Sequence, residues 1–291
     1  MDIDVLRTKS VPFHDDLKAL KLSMEPESYW YPYNSMSNLG WLSQLLTGVH
    51  RDIRSLADGR PIADIGGADG DVALFLESEG FVVELIDHGA TNMNSLNGAR
   101  RLRDVKQSSV SIFDIDLDSQ FTLPRQDYGL VLFLGILYHL QNPFYAMKAL
   151  AQAAEWCALS TKVAAGTTDG RRHFADVPIA YLVSSRETNN DPTNYWVFSE
   201  TGLCRLLHRT GWEVVEYMTV GATNGKSDPS SADRDQRVFA LLHSGAKTEF
   251  RPPLPSMRAT LKEQIASRLR DAAVDALVGV RHRFRATTVR P

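Results

Sequence analysis

Cysteine is nearly absent, two residues (Cys157 and Cys204) in 291, which excludes a small scaffold stapled by disulfides. The two fall in a predicted strand and a predicted helix and read as buried thiols rather than a disulfide or a metal pair. No apolar run approaches the ~20 residues that cross a bilayer. The opening MDIDVLRTKSVPFHDD carries no apolar signal core. We therefore expect a cytoplasmic chain, kept reduced, with no membrane partner. Charge of one sign is also missing. With 32 basic and 35 acidic side chains the net charge is -3, so the chain as a whole has no electrostatic reason to bind nucleic acid. No internal repeat is visible. What is present is a 43% hydrophobic fraction beside 23% charged residues, enough apolar material for one sizeable core with additional elements.

From Pro61 onward strands and helices alternate. Predicted strands cover 62–65, 81–86, 110–113, 128–134 and 157–161, with helices over 71–79, 92–102 and 143–155. The run Tyr128–Leu134 is almost wholly apolar, as a parallel strand buried on both faces should be. Residues 163–197 hold no clear element. A helix over 200–210 follows, with Ser199 as its N-cap, and then strands over 212–220 and 237–243. This order predicts an α/β fold with a Rossmann-like, doubly wound, seven-stranded sheet. We read 1–60 as an N-terminal helical and aromatic cap, with helices over 15–22 and 38–56. We read 61–245 as the sheet domain, with 163–197 as an insert on its acceptor side. The segment 246–291 reads as a basic helical tail, with a helix near 257–280 and the cluster Arg281, Arg283 and Arg285 as a solvated end, favoured over a binding patch.

The chemistry concentrates at the turn PIADIGGADG, residues 61–70. A strand, a glycine-rich turn and a helix start in succession place a nucleotide-like ligand at the carboxyl end of a parallel strand. No lysine follows, as a phosphate-cradling loop would require. Asp64, Asp69 and Asp71 instead surround the turn, which suits a cationic ligand without phosphates such as S-adenosylmethionine. Each strand end then offers a partner. Asp64 with the Gly66, Gly67, Ala68 and Asp69 turn would face the methionine part. Asp87, about twenty residues on, would hold the ribose hydroxyls, with His88 as a neighbour. Asp114 and the Ile115 amide would meet the adenine, and the Leu134 backbone would lie beside the methionine end. Asp114, Asp116 and Asp118 alternate on one side of an extended chain, which leaves a divalent metal open as an added cofactor.

The turn resembles the first motif of class I S-adenosylmethionine-dependent methyltransferases, D/E-x-G-x-G-x-G, with Ala68 in place of the central glycine. The exit of the fourth strand, Gly135-Ile-Leu-Tyr-His139 followed by Asn142-Pro143, is similar to the Gly-x-Leu-x-His and Asn/Asp-Pro pattern of the same superfamily. The resemblance covers roughly residues 55–220, and the final strand pair matches the antiparallel end of that family's sheet. It implies methyl transfer from S-adenosylmethionine, leaving S-adenosyl-L-homocysteine. His139 is then the candidate catalytic residue, because a hydroxyl acceptor must lose a proton and a neutral imidazole can take it. Alternatively it lines the pocket wall or fixes the loop.

The acceptor side would be built from Tyr29, Tyr31, Tyr33 and Asn34 of the cap, Tyr138 beside the histidine, and Arg186, Tyr195 and Trp196 of the insert. Aromatic faces mixed with directional polar groups suit polyhydroxylated rings. The cap aromatics would serve equally as cement for the N-terminal helices. WYPYNSMSNLGWL, FLGILYHLQNPF and ETNNDPTNYWVFSETGL together resemble bacterial sugar O-methyltransferases, and in particular those that methylate mannosides in mycobacterial methylmannose polysaccharide synthesis. The implied partner is a small-molecule or oligosaccharide acceptor. Two other readings stay open: an alkyl- or methyltransferase acting on the transfer RNA wobble uridine or on a small metabolite, and a non-catalytic subunit that binds S-adenosylmethionine.

Overall fold

The structure, a computed structural model, describes residues 1–246 apart from 120, 121 and 231. The predicted tail helix and its basic cluster lie outside the described residues. The chain opens with α1 (Ile3–Met24), which is longer than the expected 15–22. Asp2 caps it by accepting from the Asp4 amide, and Ile3, Leu6, Leu17 and Lys21 form its buried stripe, with Pro12 carried inside the helix. The single helix expected over 38–56 is broken. It becomes α2 (Asn38–Leu45), a 3-10 turn at Gly48–Arg51 and α3 (Ile53–Ala57). The break comes where Gly48 adopts a positive φ of 51° and where the Asp52 carboxylate accepts from the Arg54 and Ser55 amides, starting a new helix.

The sheet domain follows as β1 (Ile62–Ile65), α4 (Asp71–Ser78), β2 (Val83–Asp87), α5 (Asn97–Lys106), β3 (Ser111–Asp114), β4 (Tyr128–Leu134), α6 (Pro143–Ala153) and β5 (Ala154–Val163). Next come the short β6 (Ala180–Leu182) and β7 (Trp196–Phe198), then α7 (Glu200–Arg209), β8 (Trp212–Gly221) and β9 (Gln236–Ser244). The seven long strands lie in the order β3-β2-β1-β4-β5-β9-β8, parallel through β5 and antiparallel at β9 and β8. This is the expected Rossmann-like sheet. The insert adds two strands, β7 pairing with β5 only at Val163 and Phe198, and β6 pairing antiparallel with β7. Three-residue strands of this kind are set by tertiary pairing and leave no periodicity to read.

Helices pack both faces. One apolar layer joins Ile3, Leu6, Leu39, Leu42 and Leu56 to the β1 and β4 faces at Ile62 and Leu130. The other joins Met147 and Leu150 of α6 and Leu203 of α7 to Val131, Phe133 and Leu159. Gly129 is required inside β4, since a Cβ there would lie 2.0 Å from the Ala57 carbonyl oxygen. Chain direction from β1 runs outward to β2 and β3, then crosses to β4 and β5. The crevice at the carboxyl ends of β1 and β4 is thus the topological switch point, where ligands of such sheets bind.

Candidate functional site

The turn after β1 is held tightly. The Gly66 amide donates to the Ile86 carbonyl at 2.7 Å, and a Cβ on Gly66 would fall 2.2 Å from Ile136 Cδ1 on the loop after β4. Ala68 sits at φ 53°, so the alanine that replaces the motif's central glycine takes a left-handed conformation. Its backbone amide donates to Asp87 Oδ2 at 3.1 Å, and the Asn92 side-chain Nδ2 donates to the same oxygen at 3.0 Å. Burial pushes the Asp87 carboxyl above its usual range, against the pull of these donors.

Asp64 is the outlier of the group. It is buried at the end of β1, its Oδ2 has no hydrogen-bond partner, and a Cβ on Gly67 would come within 2.5 Å of that oxygen. Burial first, then the neighbouring Asp87, raises its pKa to about 7. A bare buried carboxylate oxygen beside a glycine turn fits a cationic ligand.

Two expected cofactor contacts are otherwise occupied. Asp69 accepts from Lys21 Nζ (3.0 Å), the Tyr31 backbone amide (2.7 Å) and the Asn94 side-chain Nδ2 (2.8 Å), so it ties the cap to the turn. The Ile115 amide donates to the Asp87 carbonyl at 3.0 Å in the β2–β3 ladder, so its hydrogen is already used. Asp114 lies at the β3 end as expected, exposed, accepting from the Gly89 amide at 2.8 Å. His88 stands at the same rim, its Nδ1 3.9 Å from Asp116.

The three alternating aspartates do not converge. Asp116 accepts from the Asp118 amide and the Ser119 hydroxyl, and Asp118 accepts from the Gln141 and Asn142 amides. Among the described residues no group of three or more His, Cys, Asp or Glu side chains is placed to hold a metal ion.

At the β4 exit, Leu134 leads into Gly135 and a 3-10 turn, Leu137–His139. The His139 Nδ1 lies 2.9 Å from the Thr193 hydroxyl and 3.2 Å from the Thr193 carbonyl oxygen. That hydroxyl donates to Asp191 Oδ1 at 2.7 Å, so towards the imidazole both Thr193 oxygens can only accept. The proton of the neutral ring therefore sits on Nδ1, which leaves the Nε2 lone pair open. Burial lowers the His139 pKa below its ordinary value, while Asp191 pulls it back up.

Around this histidine the structure gathers Tyr138 (ring centroids 4.4 Å apart) and the insert. The Tyr195 amide donates to the Tyr138 carbonyl at 2.8 Å, and the Trp196 indole donates to the Gln141 carbonyl at 3.2 Å. Arg237 places its guanidinium 5.8 Å from the Tyr138 ring centroid. The Tyr31 hydroxyl is pushed up to about 12 by burial, with Tyr138, Tyr33 and Asp87 adding to the shift. The Tyr31 amide on Asp69 sets this residue against the turn.

The other cap aromatics separate by role. Trp30 is buried under an α1 lysine (Lys21 Nζ 5.5 Å from its ring), and half-buried Tyr29 packs edge-on against it. Tyr33 and Asn34 are exposed. Arg186 is exposed too, and no hydrogen bond or ion pair among the described residues joins it to His139. Sequence reasoning missed Lys21, Asn92, Thr193, Asp191 and Arg237. Of these, only Asp191-Pro-Thr193 carries a local signal, the Asp/Thr turn pattern.

Comparison with known proteins bears on the fold and the family. No curated protein sequence matches the chain. Among solved structures, the N-terminal domain of EvdMO1 with SAH bound superimposes with a TM-score of 0.50 at 20% identity, over 84% of this chain and 97% of that one. The same domain with SAH and D-fucose gives a TM-score of 0.48 at 20% identity, over 66% and 79%. Magnesium protoporphyrin IX methyltransferase from Synechocystis PCC 6803 with bound SAM gives 0.41 at 16% identity, over 65% and 74%. A family model described as a methyltransferase domain matches residues 43–217, more than half of the chain. The chain belongs to the methyltransferase-domain family.

Proposed function

We propose that this chain is an S-adenosylmethionine-dependent O-methyltransferase acting on a hydroxyl of a saccharide, mannoside-type acceptor. The observation that carries the reading is the His139–Thr193–Asp191 chain, which fixes a base lone pair on Nε2 beside the switch-point crevice. S-adenosylmethionine, when bound, supplies a methyl group on a sulfonium, an electrophile that needs no protein nucleophile.

The residues present fit that cofactor. The unpartnered Asp64 oxygen would meet its cationic methionine end. Asp87, already holding the turn through Ala68, has acceptor capacity left for ribose hydroxyls. Asp114 and His88 would border the adenine. The carboxylate at Asp69 and the Ile115 amide contribute by holding the cap and the ladder instead.

His139 acts as the general base. Nε2 takes the acceptor hydroxyl proton as the new C–O bond forms, and the imidazolium is stabilised through Thr193 by the Asp191 carboxylate. Its lowered pKa keeps it neutral, and so competent, near pH 7. Tyr31, Tyr138, Tyr195 and Trp196 offer faces for a sugar ring, with Gln141 and Arg237 as nearby hydrogen-bonding groups. Proximity of hydroxyl, base and methyl supplies the remaining acceleration.

The test is a transfer assay with radiolabelled cofactor against mannosides, other glycosides, transfer RNA and small phenols, run on wild type and His139→Ala. Label in a glycoside with wild type only supports the reading. Label only in RNA or in a phenol overturns the saccharide part. Tight cofactor binding with no transfer to any acceptor moves the chain to a binding role.

A further inference from the structure

Two cations face each other across one rung of the sheet at the acceptor end. Lys162 of β5 and Arg237 of β9 are directly paired in the antiparallel ladder, a placement that is destabilising for like charges unless something answers them. Alternate β9 residues share a face, so Arg237 continues the row of Phe239 and Leu241, the apolar layer that the cap helices cover. Because β9 starts where β5 ends, both cations stand at the carboxyl end of the parallel strands, where the crevice lies. Their shared partner is Asp235, with Oδ1 2.9 Å from Lys162 Nζ and Oδ2 2.9 Å from Arg237 Nε. Among the described residues neither cation has another ion pair. Lys162 is only 3% exposed. One positive charge is therefore left over in a largely buried place, where charges are normally paired.

The surplus lies on the histidine side and is open to a ligand. The Arg237 side chain is 33% exposed, and its guanidinium lies over Tyr138, with Nη1 3.4 Å from the phenol oxygen. The same ring packs against His139, and its hydroxyl would stand 3.4 Å from a Cβ on Gly135 at the β4 exit. Arg237 thus borders the region where base and methyl group would meet, and among the described residues its Nη2 has no hydrogen-bond partner. We propose that Arg237, backed by Lys162, binds a carboxylate on the acceptor, so that the methylated saccharide is a uronic acid rather than a neutral sugar. The inference rests on the saccharide reading above. A guanidinium fork matches a planar carboxylate, which also cancels the charge that a neutral ring would leave unanswered. The cofactor's own carboxylate is the other source of that chemistry. It shares a carbon with the ammonium that Asp64 would meet, whereas Arg237 stands three strands from β1, about 14 Å at the ladder spacing. The acceptor is the better-placed source.

The test measures kcat/KM of the full chain with methyl mannoside and methyl mannuronoside, for wild type, Arg237→Gln and Arg237→Lys, with cofactor Kd by calorimetry for each. We expect wild type to favour the uronide by about 30-fold, the usual worth of a hydrogen bond to a charged group. Arg237→Gln should bring that preference to within about two-fold, and Arg237→Lys should keep part of it. Asp235 retains Lys162 as its partner in both variants, so no carboxylate is orphaned, and a ratio of two acceptors is not moved by a general loss of folded enzyme. Equal use of the two acceptors by wild type, a preference for the neutral one, or a uronide preference that survives Arg237→Gln overturns the carboxylate site and leaves the saccharide reading standing. Cofactor affinity that falls about ten-fold or more in Arg237→Gln assigns the site to the cofactor's carboxylate and overturns the proposal. If wild type methylates neither glycoside, the saccharide reading falls, and titration of the protein with methyl mannuronoside in the presence of S-adenosyl-L-homocysteine decides the site by itself. Binding that Arg237→Gln weakens about ten-fold supports it, and binding that is absent or unchanged overturns it.

Discussion

The two ends of the crevice are built differently. At the cofactor end, backbone bonds beside the parallel ladder do most of the positioning, the Gly66 amide on the Ile86 carbonyl and the Ile115 amide on the Asp87 carbonyl, with the Asp87 carboxylate adding a bond from the Ala68 amide. At the acceptor end, two segments far apart in the chain meet through side chains, with His139 reaching Thr193 and Gln141 reaching Tyr195, each across 54 residues. A ladder tolerates loss of one side chain because the backbone holds its geometry. A side-chain relay does not. Substitutions at the acceptor end should therefore change the chemistry while cofactor affinity stays, and those at the turn should do the reverse.

The largest expected effect tests that division directly. His139→Ala should lower kcat by about 10²–10⁴, the usual worth of a positioned base, with cofactor Kd unchanged within about two-fold by calorimetry. A parallel loss of cofactor binding would break the comparison. Next comes Lys21→Met, which joins the regions. It removes the cation between Asp69 and Asp71, all three being buried, and leaving buried carboxylates uncompensated costs on the order of 3–5 kcal/mol. A fall in Tm at neutral pH, partly recovered in acid as the carboxyls protonate, is the expected result. An unchanged Tm would mean the cap is held by its apolar layer alone.

Asp64→Asn sharpens the cofactor end. Because its pKa is raised to about 7 in the folded protein from an unfolded value near 3.9, its contribution to stability is fully present below about pH 4 and is lost as pH rises towards 7. The amide removes that loss. The ligand-free variant should melt higher than wild type at pH 8 and show a smaller difference at pH 4. It should also bind cofactor ten-fold or more weakly, since a hydrogen bond to a charged partner, typically about 1.5–3 kcal/mol, is removed. Higher stability without weaker binding would place Asp64 in the fold rather than in the site.

The same contrast decides what could be read from the chain. Strands Ile62–Ile65 and Tyr128–Leu134 are legible to the residue, since each is an apolar run bounded by turn residues. Asp64, Asp87 and Asp114 are legible as strand ends for the same reason. The commitments of Asp69 and the Ile115 amide are not, because spacing gives proximity to a turn but not which donors reach it first. Lys21 was invisible as one lysine on a helix face, its partners lying 48 and 50 residues away. Helix α5 starts at Asn97 rather than near 92 because Asn92 and Asn94 are spent on Asp87 and Asp69. The insert from 163 to 197 gave residue types suited to rings but no register, since its two strands exist only by pairing with each other and with one position of β5.

The smallest effect isolates the relay. Asp191 favours the imidazolium, so it raises the His139 pKa against the larger lowering by burial. Activity needs the neutral ring, and the acid limb of the wild-type pH profile should lie below the ordinary imidazole value of 6.5. Asp191→Asn removes the charge, so the limb should move to lower pH while the plateau kcat falls about ten-fold, because a weaker base takes the proton less readily. Thr193→Val leaves the backbone carbonyl at 3.2 Å as an acceptor for Nδ1–H, so its limb should move less and its kcat fall about three-fold. Packing alone would lower kcat in both variants with the limb fixed. A limb that stays in place in Asp191→Asn would therefore remove Asp191 from the relay and leave the histidine oriented by the Thr193 backbone.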